Sequence, residues 1–181
     1  MDIIPNKTNN NKGDKMKEAL KNSKPFDELY TPEYAVEPLL KYIPANVKKI
    51  WCPCDTNESK VVQKLLSAGY DVYFTHIEYG FDFLKTNIDC DMIITNPPYS
   101  TKDKMLERAY ELGKPFAFLL PLTALEGMKR GEMFRKNGMG VVVLDQRVDF
   151  NGKGNCWYNT SWFIHTPLTD GRVFFEKTKE V

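Results

Sequence analysis

Short apolar runs alternate with segments of helical period along most of this chain, and that alternation leaves few folds open. Lys49-Ile50-Trp51-Cys52, Asp71-Val72-Tyr73-Phe74-Thr75, Met92-Ile93-Ile94-Thr95 and the run Phe116 to Leu120 each stop at polar or turn-forming residues, as strands do, and the last two read as buried. Two helical segments lie between them. One runs to about Ala68, with Val61, Val62, Leu65 and Leu66 as its inward stripe and Gly69 as its stop; the other spans Lys102 to Leu112, with Met105, Leu106, Ala109 and Leu112 inward. Ahead of the first strand, Thr31-Pro32 predicts an N-cap with proline at the first helical position. The helix it opens carries Ala35, Val36, Leu39, Leu40 and Ile43, and Pro38 should kink or loosen it. A helix over Leu125 to Lys136 and strands at Val141 to Leu144 and Trp162 to Ile164 complete the pattern. Strands separated by helices pair in parallel through right-handed crossovers. The expected fold is therefore a single α/β domain: a mostly parallel open sheet, helices on both faces, and an antiparallel edge where the last strands follow without a long helix between them.

Composition narrows the function classes. With 181 residues, 42% of them hydrophobic and 27% charged, the chain suits one core. The expected organisation is a flexible basic N-terminal arm over residues 1–25, a domain over 26–176 and a tail over 177–181. No apolar run is long enough for a membrane span and the N-terminus is polar, so a cytoplasmic address is expected and no membrane partner. A formal charge of +1 excludes a globally basic polyanion binder, which leaves any nucleic-acid function to a local site. Cys52, Cys54, Cys90 and Cys156 lack zinc-site spacing, because Cys52 and Cys54 have one residue between them and the other two stand alone; no metal is expected.

In an open α/β sheet, ligands gather in the crevice at the carboxyl ends of the strands. Four loops there carry usable chemistry: Pro53 to Ser59, His76 to Gly80, Asp82-Phe83, and Asn96-Pro97-Pro98-Tyr99. The last constrains the chemistry most. Consecutive prolines continue neither a strand ladder nor a helix, so they lock an extended turn with fixed carbonyl directions. Asn96 adds an amide oxygen and Tyr99 a flat ring. Such a turn suits an NH2 group, with the Asn96 side chain and the Pro97 carbonyl accepting its two hydrogens while the ring fixes the plane.

On these residues the chain resembles the class I S-adenosylmethionine-dependent amino-methyltransferases, and most of all the DNA N6-adenine methyltransferases, including small phage-encoded members without a separate target domain. The resemblance covers roughly Tyr30 to Phe163. Tyr30-Thr31-Pro32 is similar to the family's leading helix entry, Asp82-Phe83-Leu84 to its acid-Phe-Leu motif, Asn96-Pro97-Pro98-Tyr99 to its catalytic turn and Phe118-Leu119-Leu120-Pro121 to the strand that follows. The resemblance implies a Rossmann-like methyltransferase fold, S-adenosyl-L-methionine as cofactor and adenine-containing DNA as partner. It also implies catalytic roles for Asn96, Pro97, Pro98 and Tyr99, and cofactor contacts from Tyr30, Thr31, Pro53, Cys54, Asp55, Ser59, His76, Ile77, Glu78, Asp82 and Phe83.

Two departures stand out. Thr56 and Glu58 occupy the places of two glycines that let the family's backbone pass close under the cofactor, and His76 stands where an acid usually binds the ribose, with Glu78 two residues on. Asp55 and Glu78 are the candidates to take over contacts to the methionine amine and the ribose. These departures keep alternatives open: methylation of an RNA base or a protein glutamine, or a catalytically silent binding or counter-defence protein. For DNA contact the candidates are the arm, Lys129-Arg130 with Arg135-Lys136, Arg147 with Lys153, and the glycine-rich segment 151–155. Trp157, Tyr158 and Trp162 are either base-stacking or core aromatics, with the core favoured for Trp162.

Overall fold

The computed structural model describes residues 30–152, 154, 158–169 and 171–178. The expected N-terminal arm, an ordered start near Phe26, and Lys153, Asn155, Cys156 and Trp157 lie outside the described residues, as do residues 179–181 of the expected tail.

Seven strands form one sheet in the order β2-β1-β3-β4-β6-β5-β7. They are β1 (Lys49–Cys52), β2 (Asp71–Phe74), β3 (Met92–Thr95), β4 (Phe116–Pro121), β5 (Gly140–Leu144), β6 (Thr160–His165) and β7 (Val173–Glu176). The first four are parallel, with Ile50 opposite Val72 on one side and Met92 on the other, and Ile93 opposite Phe116. β6 runs against both β4 and β5, pairing Leu119 and Val142 across Trp162, and β7 returns parallel to β5. The antiparallel component thus falls at the C-terminal flank, as the missing crossover helix predicts, with β5 and β7 outside the reversed strand.

Successive strand residues feed opposite cores, the two-residue period of a sheet covered on both sides. One face carries Ile50, Cys52, Met92, Ile94, Leu119 and Trp162 under α1 (Glu33–Val36), the 3-10 segment Glu37–Tyr42 and α2 (Lys60–Ser67). The other carries Trp51, Ile93, Phe116, Phe118, Leu120 and Phe163 against α3 (Lys102–Glu111) and α4 (Met128–Asn137). Trp162 is fully buried as expected, and its indole N–H donates to the Ala35 carbonyl at 2.7 Å. Among the described residues no helix is long and apolar enough to cross a membrane.

Several local expectations are corrected. Thr31 is not the N-cap: Pro32 holds that position, and Thr31 is buried with its hydroxyl unpartnered. The first helix is α-helical for four residues only. Pro38 supplies no N–H for a continuing ladder, and the chain tightens into 3-10 geometry there. Leu66 is not in the buried stripe of α2 but 47% exposed, because at 3.6 residues per turn it stands about 90° from the centre of the face that Val61, Val62 and Leu65 share. The segment expected as one helix from Leu125 is a 3-10 turn over Leu122–Leu125, a break at Gly127, and α4 from Met128. β7 was not expected from sequence.

Candidate functional site

The chain leaves β1 toward β2 on one side and returns to β3 on the other, so the carboxyl ends of β1 and β3 flank the switch point of the sheet. A cavity of about 300 Å³ opens there. All eleven residues expected to touch the cofactor line it: Tyr30 and Thr31 from the entry to α1; Pro53, Cys54, Asp55 and Ser59 from the loop after β1; His76, Ile77 and Glu78 after β2; and Asp82 and Phe83 beyond them. Asn96 and Pro98 line the same cavity, whereas Pro97 and Tyr99 do not. Thr56, Phe81, Leu84, Thr101 and Met105 complete the wall; Leu84 belongs to the acid-Phe-Leu motif, while Phe81, Thr101 and Met105 come from none. Of the two residues in place of glycine, Thr56 faces the cavity, while Glu58 is exposed and outside its wall.

Asp55 is the electrostatic centre. It is 8% exposed; one carboxylate oxygen accepts from the Ser59 hydroxyl at 2.6 Å and the other from Thr95 at 2.8 Å. Burial raises its pKa, and these two hydrogen bonds and His76 offset part of the rise. Ser59 also caps α2, accepting from the Val61 amide at 3.2 Å, so one side chain starts the helix and holds the acid. Thr95, the last residue of β3, is a positioning residue that no motif signals; only its fully buried hydroxyl beside a strand-end acid marks it.

The loop after β1 is pinned to β2. The Cys54 and Asp55 amides both donate to the Thr75 carbonyl, at 2.9 and 3.2 Å, and the Thr75 amide donates to Cys52 at 3.1 Å. This forces Cys54 to φ 137°, a backbone region that favours glycine. Burial and then the nearby Asp55 push the Cys54 thiol up to about 12, so it is a neutral wall residue. The other face of the cavity is aromatic and fixed: Phe83 lies 5.1 Å from Trp51 and 6.2 Å from Phe118, centroid to centroid, while the Trp51 indole donates to Thr75. Asp82 accepts from the Leu84 amide at 3.0 Å, and the His76 imidazole accepts from the Glu78 amide at 3.3 Å with the Glu78 carboxylate 3.7 Å away.

The Asn96–Tyr99 turn leads into α3. The Pro98 carbonyl accepts from both the amide and the hydroxyl of Thr101, at 3.0 and 3.2 Å, and the Lys102 ammonium donates to the Tyr99 carbonyl at 3.2 Å. The Tyr99 ring stands edge-on to Tyr158 at 5.4 Å, and its hydroxyl is buried and unpartnered. Burial, and then Tyr158, raise the Tyr99 pKa and keep it a neutral phenol.

The residues present fit S-adenosylmethionine. A buried carboxylate able to take an ammonium, an unpartnered Thr31 hydroxyl and the Glu78 carboxylate border one cavity with apolar Ile77, Phe83 and Leu84, side chains of the kind that pack against a flat ring. The volume sits at the lower end of the roughly 300–1,000 Å³ usual for small-molecule sites.

No protein-family model and no curated protein matches the chain. Solved structures do. A protein described as a class I S-adenosylmethionine-dependent methyltransferase from Listeria monocytogenes superposes with a TM-score of 0.51 at 12% identity, over 92% of this chain and 71% of that one. A modification subunit of a type I restriction enzyme from Vibrio vulnificus gives 0.45 at 14% identity; 92% of this chain is covered, and the chain spans 50% of that subunit's length. A protein described as an RNA methyltransferase from Pyrococcus horikoshii gives 0.48 at 12% identity, over 84% of this chain and 94% of that one. The chain has the Rossmann-like fold of the class I S-adenosylmethionine-dependent methyltransferases.

Proposed function

We propose that the protein transfers a methyl group from S-adenosylmethionine to the N6 amine of adenine in DNA. The observation that supports this reading is that Asn96 and Pro98 wall the same cavity as Asp55, Glu78 and Asp82, so an amine-gripping turn and a cofactor-sized crevice form one site. When bound, S-adenosylmethionine supplies an electrophilic methyl group on a sulfonium sulfur. Asp55 receives the ammonium of its methionine part, Glu78 and His76 the ribose hydroxyls, and Asp82 with Phe83 the adenine. On the target side, the Asn96 amide oxygen and the Pro97 carbonyl accept the two amine hydrogens and aim the nitrogen lone pair into the cavity. Methyl transfer would form the C–N bond as the C–S bond breaks and would release the amine proton to water afterwards, so no residue of unusual basicity is needed.

Thr56 favours a second reading, a binding protein that has kept the fold without catalysis, because its side chain stands in a wall where the fold ordinarily leaves bare backbone. One experiment separates these readings: transfer of radiolabelled methyl groups to DNA, RNA and protein, side by side. Label in DNA recovered as N6-methyladenine supports the proposal. Label only in RNA or in glutamine side chains reassigns the acceptor, and none in any of them favours the binding protein.

A further inference from the structure

The segment after β4 leaves the sheet at the same end as the Asn96–Tyr99 turn. β4 pairs with β3 up to Phe118 opposite Thr95 and then runs on to Pro121, so its exit stands about 10 Å further out than the start of the turn, at roughly 3.3 Å per strand residue. Leu125 is 47% exposed and Met128 93%. Isolated exposed apolar residues are ordinary on protein surfaces, but these two are held in place. The Arg130 guanidinium donates to the Ala124 carbonyl at 2.8 Å, to the Glu126 carbonyl, and to both Asp103 oxygens at 2.8 and 3.0 Å, and Asp103 lies in the first turn of α3, directly after the catalytic turn. Gly127 makes the clamp possible: its φ is 118°, and a Cβ there would meet the Arg130 guanidinium at 2.8 Å. One arginine thus ties this segment to the helix that the Asn96–Tyr99 turn opens.

We infer that Leu125 and Met128 form an apolar wedge that enters duplex DNA beside the target adenine and fills the gap the base leaves. The inference rests on the proposed function and names how that same site gains access to a paired base. An adenine amine inside a duplex is out of reach of a crevice at a sheet edge, so the base must leave the stack, and that costs a few kcal/mol. Inserted Leu and Met side chains recover part of this cost by replacing the lost stacking. The surroundings suit phosphate: Lys129 is exposed next to Met128 in sequence, Lys104 is exposed in the helix next to Asp103, and Arg130 neutralises Asp103, leaving Glu126 as the acid on the segment itself.

The test compares native and heat-denatured genomic DNA as acceptors for the full-length protein, its Leu125→Ser/Met128→Ser variant and Met128→Leu. Wild type is expected to methylate both forms. The double variant should retain transfer to denatured DNA within about twofold and lose about tenfold or more on the native duplex, and Met128→Leu should keep duplex activity because it keeps the wedge apolar. Equal loss on both forms, or no loss on the duplex, overturns the wedge while leaving the proposed function standing. Failure of the wild type on both forms overturns the proposed function, and the wedge with it.

Discussion

The turn after β3 is ordered by prolines and by contacts from its near neighbours Thr101 and Lys102, whereas the loop after β1 is ordered largely by residues distant in sequence, Thr75 and Thr95 at the ends of β2 and β3. Two prolines and a carbonyl that accepts twice from Thr101 fix the first. The second holds its course through the Thr75 carbonyl and through an acid buried between Ser59 and Thr95, at the cost of a strained Cys54. In the loop, the protein holds a buried acid at a desolvation cost that the turn does not carry.

Asn96→Ala breaks the comparison most sharply. Methyl transfer should fall by about a hundredfold or more, the scale of losing one aimed hydrogen-bonding group, with the thermal midpoint unchanged. Full activity in that variant would remove the turn from the mechanism.

Asp55→Asn comes next and should move two quantities in opposite directions. Affinity for S-adenosylmethionine should drop about tenfold to a hundredfold, since a hydrogen bond to a charged partner contributes about 1.5–3 kcal/mol. The ligand-free variant should be more stable than wild type at neutral pH. Burial raises the pKa of Asp55 in the folded state, so its contribution to stability is full below the ordinary carboxylate range and is lost as pH rises through the raised value. Thermal melts between about pH 4 and 7 should show wild type losing ground to the variant as pH increases. A wild type that gains on the variant over that range would mean the acid is already satisfied without a ligand.

Smaller effects sharpen the contrast. Thr56→Gly clears the cavity wall and should tighten cofactor binding about two- to fivefold in a titration, against a stability loss of about 0.5–1 kcal/mol from the added backbone freedom. Tyr99→Phe should be close to neutral in both melting temperature and methyl transfer, because the hydroxyl it removes has no partner, whereas Tyr99→Ala should weaken transfer by losing the ring.

How much of this was legible in the sequence follows the same division. β1, β3 and β4 are continuous apolar runs because both faces are buried, and the loops that bear the site follow from where parallel strands end. Val173-Phe174-Phe175-Glu176 carries no strand signal in the sequence because it is a four-residue edge strand whose outward Phe175 is 81% exposed, so no buried run announces it. At the site, motif positions brought Asp55, Asp82 and Asn96 into view. Thr95, Phe81, Thr101 and Met105 reach the cavity or its acid only through the packing of β3 and α3 against the loops, which no local spacing encodes. Thr31 meets the expectation that it lines the cavity but not that it caps the helix, because tertiary contact outweighs local capping preference there.

The central claim is that the crevice around Asp55 is a cofactor site despite Thr56 and His76, and calorimetric titration of the full-length protein with S-adenosylmethionine and S-adenosylhomocysteine tests it most directly. Saturable binding of both at micromolar concentration, about tenfold or more weaker in Asp55→Asn, is the result predicted. No heat of binding at millimolar cofactor, with or without DNA, would contradict it.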